Sequence, residues 1–174
     1  MKKKLIQKAI DNLFLHEIWM GNSNINVFKQ YIPGYENGSL NIQFKDSLRN
    51  ASVFDLDDHD SYKSLVIFHY ECSFRGLPGD ISNEDLCNEE YLEGKVIVEV
   101  NATFNAAYHL KNKADEEELK AFSENNVAYN IWPYWREYAT SVAQRLKLPR
   151  FIVPLYKIQD KTSQILKNQT EKTN

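Results

Sequence analysis

Apolar residues recur along this chain with two different periods. Residues 3–18 place apolar side chains every three to four positions, which is typical of an amphipathic helix. Further along, apolar and polar residues alternate, and alternation predicts strands with one buried face. The predicted strands are residues 25–32, 39–46, 51–57, 63–74 and 95–108. We therefore expect a helix within the N-terminal residues 1–20, followed by successive strands.

Helical spacing returns in the last third of the chain. Trp132 precedes Pro133, and a residue before proline is pushed away from the helical conformation. Because proline is well tolerated at the first helical position, the sequence predicts a helix that begins at Pro133. Apolar residues then keep three- and four-residue spacing as far as Leu146. An apolar run over residues 151–155 follows this helix.

The order of these elements predicts the fold class. Strands in succession followed by helices indicate an α+β fold, with helices packed on one face of an antiparallel sheet of four to five strands. No internal repeat or linker divides the chain, so we expect a single domain over residues 1–174. Residues 157–174 have few apolar positions and are expected to form a short helix or a tail.

Composition narrows the class of protein. The chain has 174 residues, of which 43% are hydrophobic and 13% aromatic, as is typical of a globular domain. Its net charge of −3 gives no general reason to expect nucleic-acid binding. Polar residues interrupt the apolar positions near the N-terminus, and no run of about 18 apolar residues occurs. We therefore expect a cytoplasmic protein that does not insert into a membrane.

The sequence patterns of common catalytic and metal sites are absent. The glycine patterns that bind phosphates or dinucleotides do not occur, and the acidic residues from Asp55 to Asp60 lack the glycine and distal glutamate of a calcium-binding loop. We therefore expect no cofactor, no metal and no enzymatic activity. One alternative is a small enzyme that uses His69 and Glu71, which lie on the same strand face. A polar sheet surface is the simpler interpretation of that pair.

Aromatic residues are concentrated around the start of the predicted C-terminal helix. Such residues could stack on single-stranded nucleic acid, but that function also needs a positively charged track, which the interspersed acids oppose. Burial in a core or in a subunit interface is the better interpretation. The candidate interface residues are Trp132, Tyr134, Trp135, Tyr138 and Val142.

Three segments of the chain together resemble one protein family. Residues 129–156, YNIWPYWREYATSVAQRLKLPRFIVPLY, resemble the C-terminal half of SecB, the export chaperone family. Residues 95–110 resemble the last long strand of that family. Residues 114–126 resemble the linking element of SecB-like chaperones associated with toxin–antitoxin systems. The resemblance covers mainly residues 92–156.

This resemblance implies a chaperone that works without ATP and holds unfolded apolar polypeptide segments. It implies a role in protein export or in the control of a toxin–antitoxin system, with an unfolded preprotein or an antitoxin as client, and a homotetramer as the assembly. The chain ends in KNQTEKTN rather than in an acidic tail, which leaves engagement of the SecA motor open. A structural oligomer without clients is a further alternative. The implied client-binding residues are Val27, Tyr31, Leu40, Ile42, Phe44, Ile152, Val153 and Leu155.

Overall fold

Four antiparallel strands form one sheet. The computed structural model describes residues 2–28, 39–56 and 61–156. The strands are β1 (Leu13–Val27), β2 (Leu40–Asp55), β3 (Ser64–Pro78) and β4 (Val98–Leu110). Their order across the sheet is β1-β4-β3-β2, so β3 and β4 are central and β1 and β2 are edges. The predicted α+β class with an antiparallel sheet is confirmed.

Helices flank the sheet at both ends of the chain. They are α1 (Lys2–Asn12), the short α2 (Glu89–Leu92), α3 (Glu116–Phe122) and α4 (Ala128–Arg145), with a π-helical segment Ser123–Val127 between α3 and α4. Residues of α1, α3 and α4 belong to one apolar cluster with the buried side of β3 and β4. These three helices therefore pack on one face of the sheet, as predicted, whereas α2 lies in the connection between β3 and β4.

The core follows the alternation of the two central strands. Every second residue of β3 from Val66 to Phe74 is buried, and the matching positions of β4 are buried with them. The ring of Phe74 lies 6.1 Å from that of Trp135 on α4. The ring of Tyr108 lies 5.0 Å from that of Phe122 on α3. Aromatic contacts of this kind fix the helices against the sheet.

The N-terminal helix is shorter than predicted. It ends at Asn12, and Leu13 already pairs with Leu110 of β4, so the predicted helix over residues 3–18 is wrong beyond that point. The side chain of Asn12 accepts a hydrogen bond from the Asn112 amide over 2.8 Å and donates to the Asn112 carbonyl over 3.1 Å. These contacts join residues 100 positions apart, and local spacing contains no information about them.

Bulges explain the other errors in the predicted strands. Register shifts occur in β1 between Leu15 and Glu17 and between Met20 and Asn22, and in β2 between Leu48 and Asn50. A bulge inserts one residue and reverses the face on which later apolar residues appear. The two strands predicted over residues 39–46 and 51–57 are therefore one continuous strand. Of the strand predicted over residues 25–32, residues 25–27 form the end of β1, and residues 29–32 lie outside the described residues.

The C-terminal helix begins before the proline that was expected to start it. Helix α4 begins at Ala128 and contains Pro133 in its interior, so the predicted start is wrong. A proline inside a helix removes one hydrogen bond and is locally unfavourable. Trp132 and Trp135 on either side of Pro133 are buried in the apolar core. Their packing outweighs the local preference of proline.

Candidate functional site

Four apolar side chains are exposed in a line along the edge strand β1. Leu15, Met20, Ile25 and Val27 pair with buried residues of β4, so they lie on the face of the sheet that carries the helices. Between 43% and 50% of each side chain is exposed. We call these four residues the β1 stripe. At about 3.3 Å per residue, the stripe extends over roughly 40 Å.

The position of α4 leaves the β1 stripe uncovered. Tyr138 of α4 packs edge-on against Phe104 of β4, with ring centroids 6.5 Å apart. Phe104 in turn pairs with Met20, so the stripe lies one strand beyond this contact of α4. The stripe therefore forms an exposed apolar edge of the sheet beside α4.

The opposite edge of the helix-bearing face carries a second apolar surface. Ile42 and Phe44 of β2 are half-buried there, and both pack against the core. The ring of Phe44 lies 6.0 Å from that of Phe151. The ring of Phe151 also lies 5.2 Å from that of Phe74, on the neighbouring strand β3. The chain after α4 therefore returns over β2 and β3 and covers this edge.

We call residues 151–156 the strap. Val153 is 3% exposed, whereas Ile152 and Leu155 are 80% and 70% exposed, so the strap turns one set of side chains inward and another outward. The indole Nε1 of Trp132 donates a hydrogen bond to the Pro154 carbonyl over 2.7 Å. The strap is therefore seated in an apolar groove between α4 and β2.

Phenol groups line the end of this groove beside Tyr156. The ring of Tyr156 lies 5.3 Å from that of Trp132. The Tyr70 hydroxyl donates to a carboxylate oxygen of Asp46. Burial, and then this bond, raise the pKa of Tyr70 well above its usual value, and burial also raises the pKa of Tyr156. Both phenols therefore remain protonated hydrogen-bonding groups at neutral pH.

The predicted client-binding residues lie in two places rather than in one groove. Val27 pairs with Val98, which pairs with Gly76, which pairs with Ile42. Val27 and Ile42 are thus on one row of the sheet, separated by two strands and about 14 Å. Val27 belongs to the β1 stripe, and the remaining predicted residues lie at the β2 edge or on the strap, except Tyr31, which is outside the described residues. Those at the β2 edge or on the strap are Leu40, Ile42, Phe44, Ile152, Val153 and Leu155.

The candidate interface residues divide into core and surface. Trp132, Trp135 and Val142 are buried within the chain itself. They belong to the apolar core of the chain, which leaves them little surface for a partner, and their predicted role in subunit contact stays a prediction. Tyr134 is exposed and Tyr138 is half-buried, and for these two a role in subunit contact stays a prediction.

His69 and Glu71 lie on the other, largely polar face of the sheet. The Nδ1 and Nε2 atoms of His69 lie 2.7 Å from Asn105 Oδ1 and 3.3 Å from Ser52 Oγ. Glu71 forms an ion pair with Arg49. Each side chain is held by a partner of its own, which is typical of a polar sheet surface and does not favour an acid–base pair.

The part of the chain that the structure describes shows neither a metal-binding cluster nor a membrane-spanning helix. The described residues contain no group of three or more histidine, cysteine, aspartate or glutamate side chains that could hold a metal ion. The acidic residues Asp57, Asp58 and Asp60 lie outside that part of the chain. Among the helices that the structure describes, none has the length and apolar character needed to span a membrane.

Sequence reasoning did not select Leu15, Met20 and Ile25 of the β1 stripe as candidate residues. It assigned residues 3–18 to a helix, and the two bulges of β1 hide the alternation that would have identified a strand. Two pairs of apolar residues two positions apart were the available signal, Leu13 with Leu15 and Ile25 with Val27. They lie on either side of the bulges, so neither is long enough to predict a strand alone.

Comparison with known proteins identifies the fold. No protein-family model matches the chain, and no curated protein matches it. The solved structure of a Mycobacterium tuberculosis SecB-like chaperone, in complex with a ChAD peptide from the HigA1 antitoxin, is similar with a TM-score of 0.64 and 15% sequence identity. The match covers 88% of this chain and 97% of that chain.

A second solved structure, a Streptococcus agalactiae protein of unknown function, matches 82% of this chain and 97% of its own length. Its TM-score of 0.33 and 10% identity are too low to carry an argument. The first match is sufficient for the architecture. The chain has the SecB-like fold, as the sequence resemblance predicted.

Proposed function

We propose that this chain is an ATP-independent chaperone that holds unfolded apolar polypeptide segments. The β1 stripe is the observation that carries the proposal, because it exposes apolar side chains in a line of about 40 Å. Exposed apolar surface of this extent is typical of a binding site for another polypeptide. The similar solved structure supports the proposal, since that SecB-like chaperone is in complex with an antitoxin peptide.

The dimensions of the β1 stripe suit an extended client. A strand-like segment of about 12 residues has the same length as the stripe. An unfolded segment loses conformational freedom when it binds, so no single contact provides much net affinity. A line of four exposed apolar side chains provides several weak contacts at once, and binding of this kind requires no nucleotide.

The client that the comparison favours is an antitoxin, and an unfolded preprotein destined for SecA is the alternative class. We also propose a homotetramer in which the exposed Tyr134 contributes to subunit contact. Closed symmetric assemblies are the usual form of soluble oligomers. Light scattering at micromolar concentration should give the mass of four chains, and the mass of one chain would refute the assembly.

The test of the chaperone proposal compares two neighbouring residues of β1. Met20 pairs with Phe104 and lies on the helix-bearing face, whereas Trp19 pairs with Asn105 and lies on the polar face. Both are exposed. We expect the parent chain to slow the aggregation of an unfolded client without nucleotide, and Met20→Gln to weaken this effect several-fold. Trp19→Gln, the matched control, should retain it.

Two results would contradict the proposal in different ways. If Met20→Gln and Trp19→Gln hold clients equally well, the β1 stripe is not the binding surface. If the parent chain never slows aggregation, a structural oligomer without clients becomes the better account. Circular dichroism of both variants provides the necessary check that each remains folded.

A further inference from the structure

The strap has the form of a bound peptide. It is an extended segment without helix or strand, and Phe151 and Val153 turn toward the core while Ile152 and Leu155 face outward. Tyr156 then returns to the surface of α4 at Trp132. Alternate anchoring of side chains is how grooves recognise extended polypeptides.

Side chains, rather than a ladder of backbone bonds, hold the strap in place. Within the described residues, the hydrogen bond to its main chain comes from the Trp132 indole to the Pro154 carbonyl. The strap is also attached by the contacts of Phe151 with Phe44 and Phe74, by the burial of Val153 and by the contact between the rings of Tyr156 and Trp132. Another extended segment with similar side chains could make the same contacts, because none of them depends on continuity with α4.

We propose that the groove beneath the strap is a second polypeptide-binding site, and that the strap occupies it as an intramolecular competitor of the client. This inference rests on the proposed chaperone function and adds a site to it. The β1 stripe is open, whereas this groove is filled by the chain itself. A client can bind in the groove only if it displaces residues 151–156.

The strap also defines the chemistry of the ligand. Its inward residues specify an aromatic side chain, an aliphatic one two positions later and an aromatic one three positions after that, as in Phe151, Val153 and Tyr156. The Trp132 indole requires a free main-chain carbonyl, which an extended segment offers and a helical interior does not. Asp46 lies at the end that receives the second aromatic residue, so acidic side chains are disfavoured there.

Competition by the strap lowers the apparent affinity for a client. The measured dissociation constant is the intrinsic one divided by the fraction of molecules in which the groove is open. A substitution that weakens the strap without changing the groove therefore increases client affinity. Loss of an apolar side chain usually weakens binding. An increase in client affinity therefore distinguishes a residue that competes with the client from a residue that contacts it.

The experiment uses the full chain with Phe151→Ser, which leaves Phe44 and Phe74 intact. A labelled peptide of residues 150–156, RFIVPLY, should bind this variant at least about tenfold tighter than the parent, as measured by fluorescence anisotropy. The same peptide with serine in place of its phenylalanine should bind neither protein measurably. Tyr129→Ser is the matched control, because it removes an aromatic ring from an exposed position on α4 and should leave peptide binding at the parental level.

Circular dichroism establishes that each variant is folded. If Phe151→Ser is unfolded, Phe151→Leu retains most of the apolar volume and should give a smaller increase of the same sign. Equal binding of the peptide by the parent and by folded Phe151 variants would overturn the inference, and so would weaker binding by the variants. Aggregation assays on the same proteins test the chaperone proposal separately. If the parent fails to slow client aggregation, the difference in peptide affinity between the parent and the Phe151 variants is still measured.

Discussion

Replacement of Trp135 by alanine should destabilise the subunit itself. Trp135 is fully buried, and its ring lies 6.1 Å from that of Phe74 and 6.2 Å from that of Tyr138. Large-to-small substitutions of buried aromatic residues cost about 3–5 kcal/mol. A domain of this kind has a total free energy of unfolding of about 5–15 kcal/mol. Trp135→Ala should therefore remove a large part of it.

The milder substitution Trp135→Phe should change the free energy of unfolding less. The indole Nε1 of Trp135 is buried and has no hydrogen-bond partner among the described residues. A buried unsatisfied donor costs about 1–3 kcal/mol. Trp135→Phe removes that donor while it keeps an aromatic ring, so the gain offsets lost packing and the net change should stay within about 1 kcal/mol. The exposed neighbour Tyr134 provides the control, because Tyr134→Ala should change the stability of the subunit by about 0.5 kcal/mol or less.

Urea denaturation at several protein concentrations distinguishes a core role from an interface role. If Trp135 packs on its own sheet, the loss of free energy in Trp135→Ala is the same at each concentration. If it packs against a second subunit, dilution increases the difference between the variant and the parent. A loss that grows on dilution, or a loss no larger than that of Tyr134→Ala, would refute the assignment of Trp135 to the core.

Two further predictions concern buried polar groups. Glu118 is fully buried and lies 2.7 Å from Lys8 Nζ, so Glu118→Gln should lower the free energy of unfolding by about 2 kcal/mol in urea denaturation, whereas the exposed Glu117→Gln should change little. Burial raises the pKa of Tyr108 to about 12. The Tyr108 phenol therefore ionises at lower pH in the unfolded chain than in the folded one. The stability that is present below about pH 10 is lost as the pH rises toward 12. Tyr108→Phe should reduce that loss in denaturation curves recorded across this range.

The central part of the fold could be predicted because its sequence is locally consistent. Strands β3 and β4 carry buried residues at every second position, and the register between these two strands has no shift. The ends of α1 and α4 could not be predicted, because contacts distant in sequence determine them. Asn12 reaches Asn112 to stop α1, and the burial of Trp132 and Trp135 keeps Pro133 inside α4.

The candidate site was less accessible to sequence reasoning than the fold. An apolar position in the sequence looks the same whether its side chain packs in the core or stays exposed to bind a client. Only the position of the helices decides between the two. Phe44 and Val27 looked equivalent in the sequence. The structure covers Phe44 with Phe151 and leaves Val27 open, because α4 lies over the central strands and the chain returns along the β2 edge alone.

The bulges of β1 reconcile an exposed apolar strand with a protein that must not aggregate. A long, flat, apolar edge strand is a template for unwanted strand pairing, and bulges are one way in which proteins prevent it. Strand β1 has two bulges within 15 residues. The bulges twist the backbone edge, yet the side chains of Leu15, Met20, Ile25 and Val27 stay on one face. The stripe can thus offer apolar side chains to a client while its main chain remains a poor partner for a second edge.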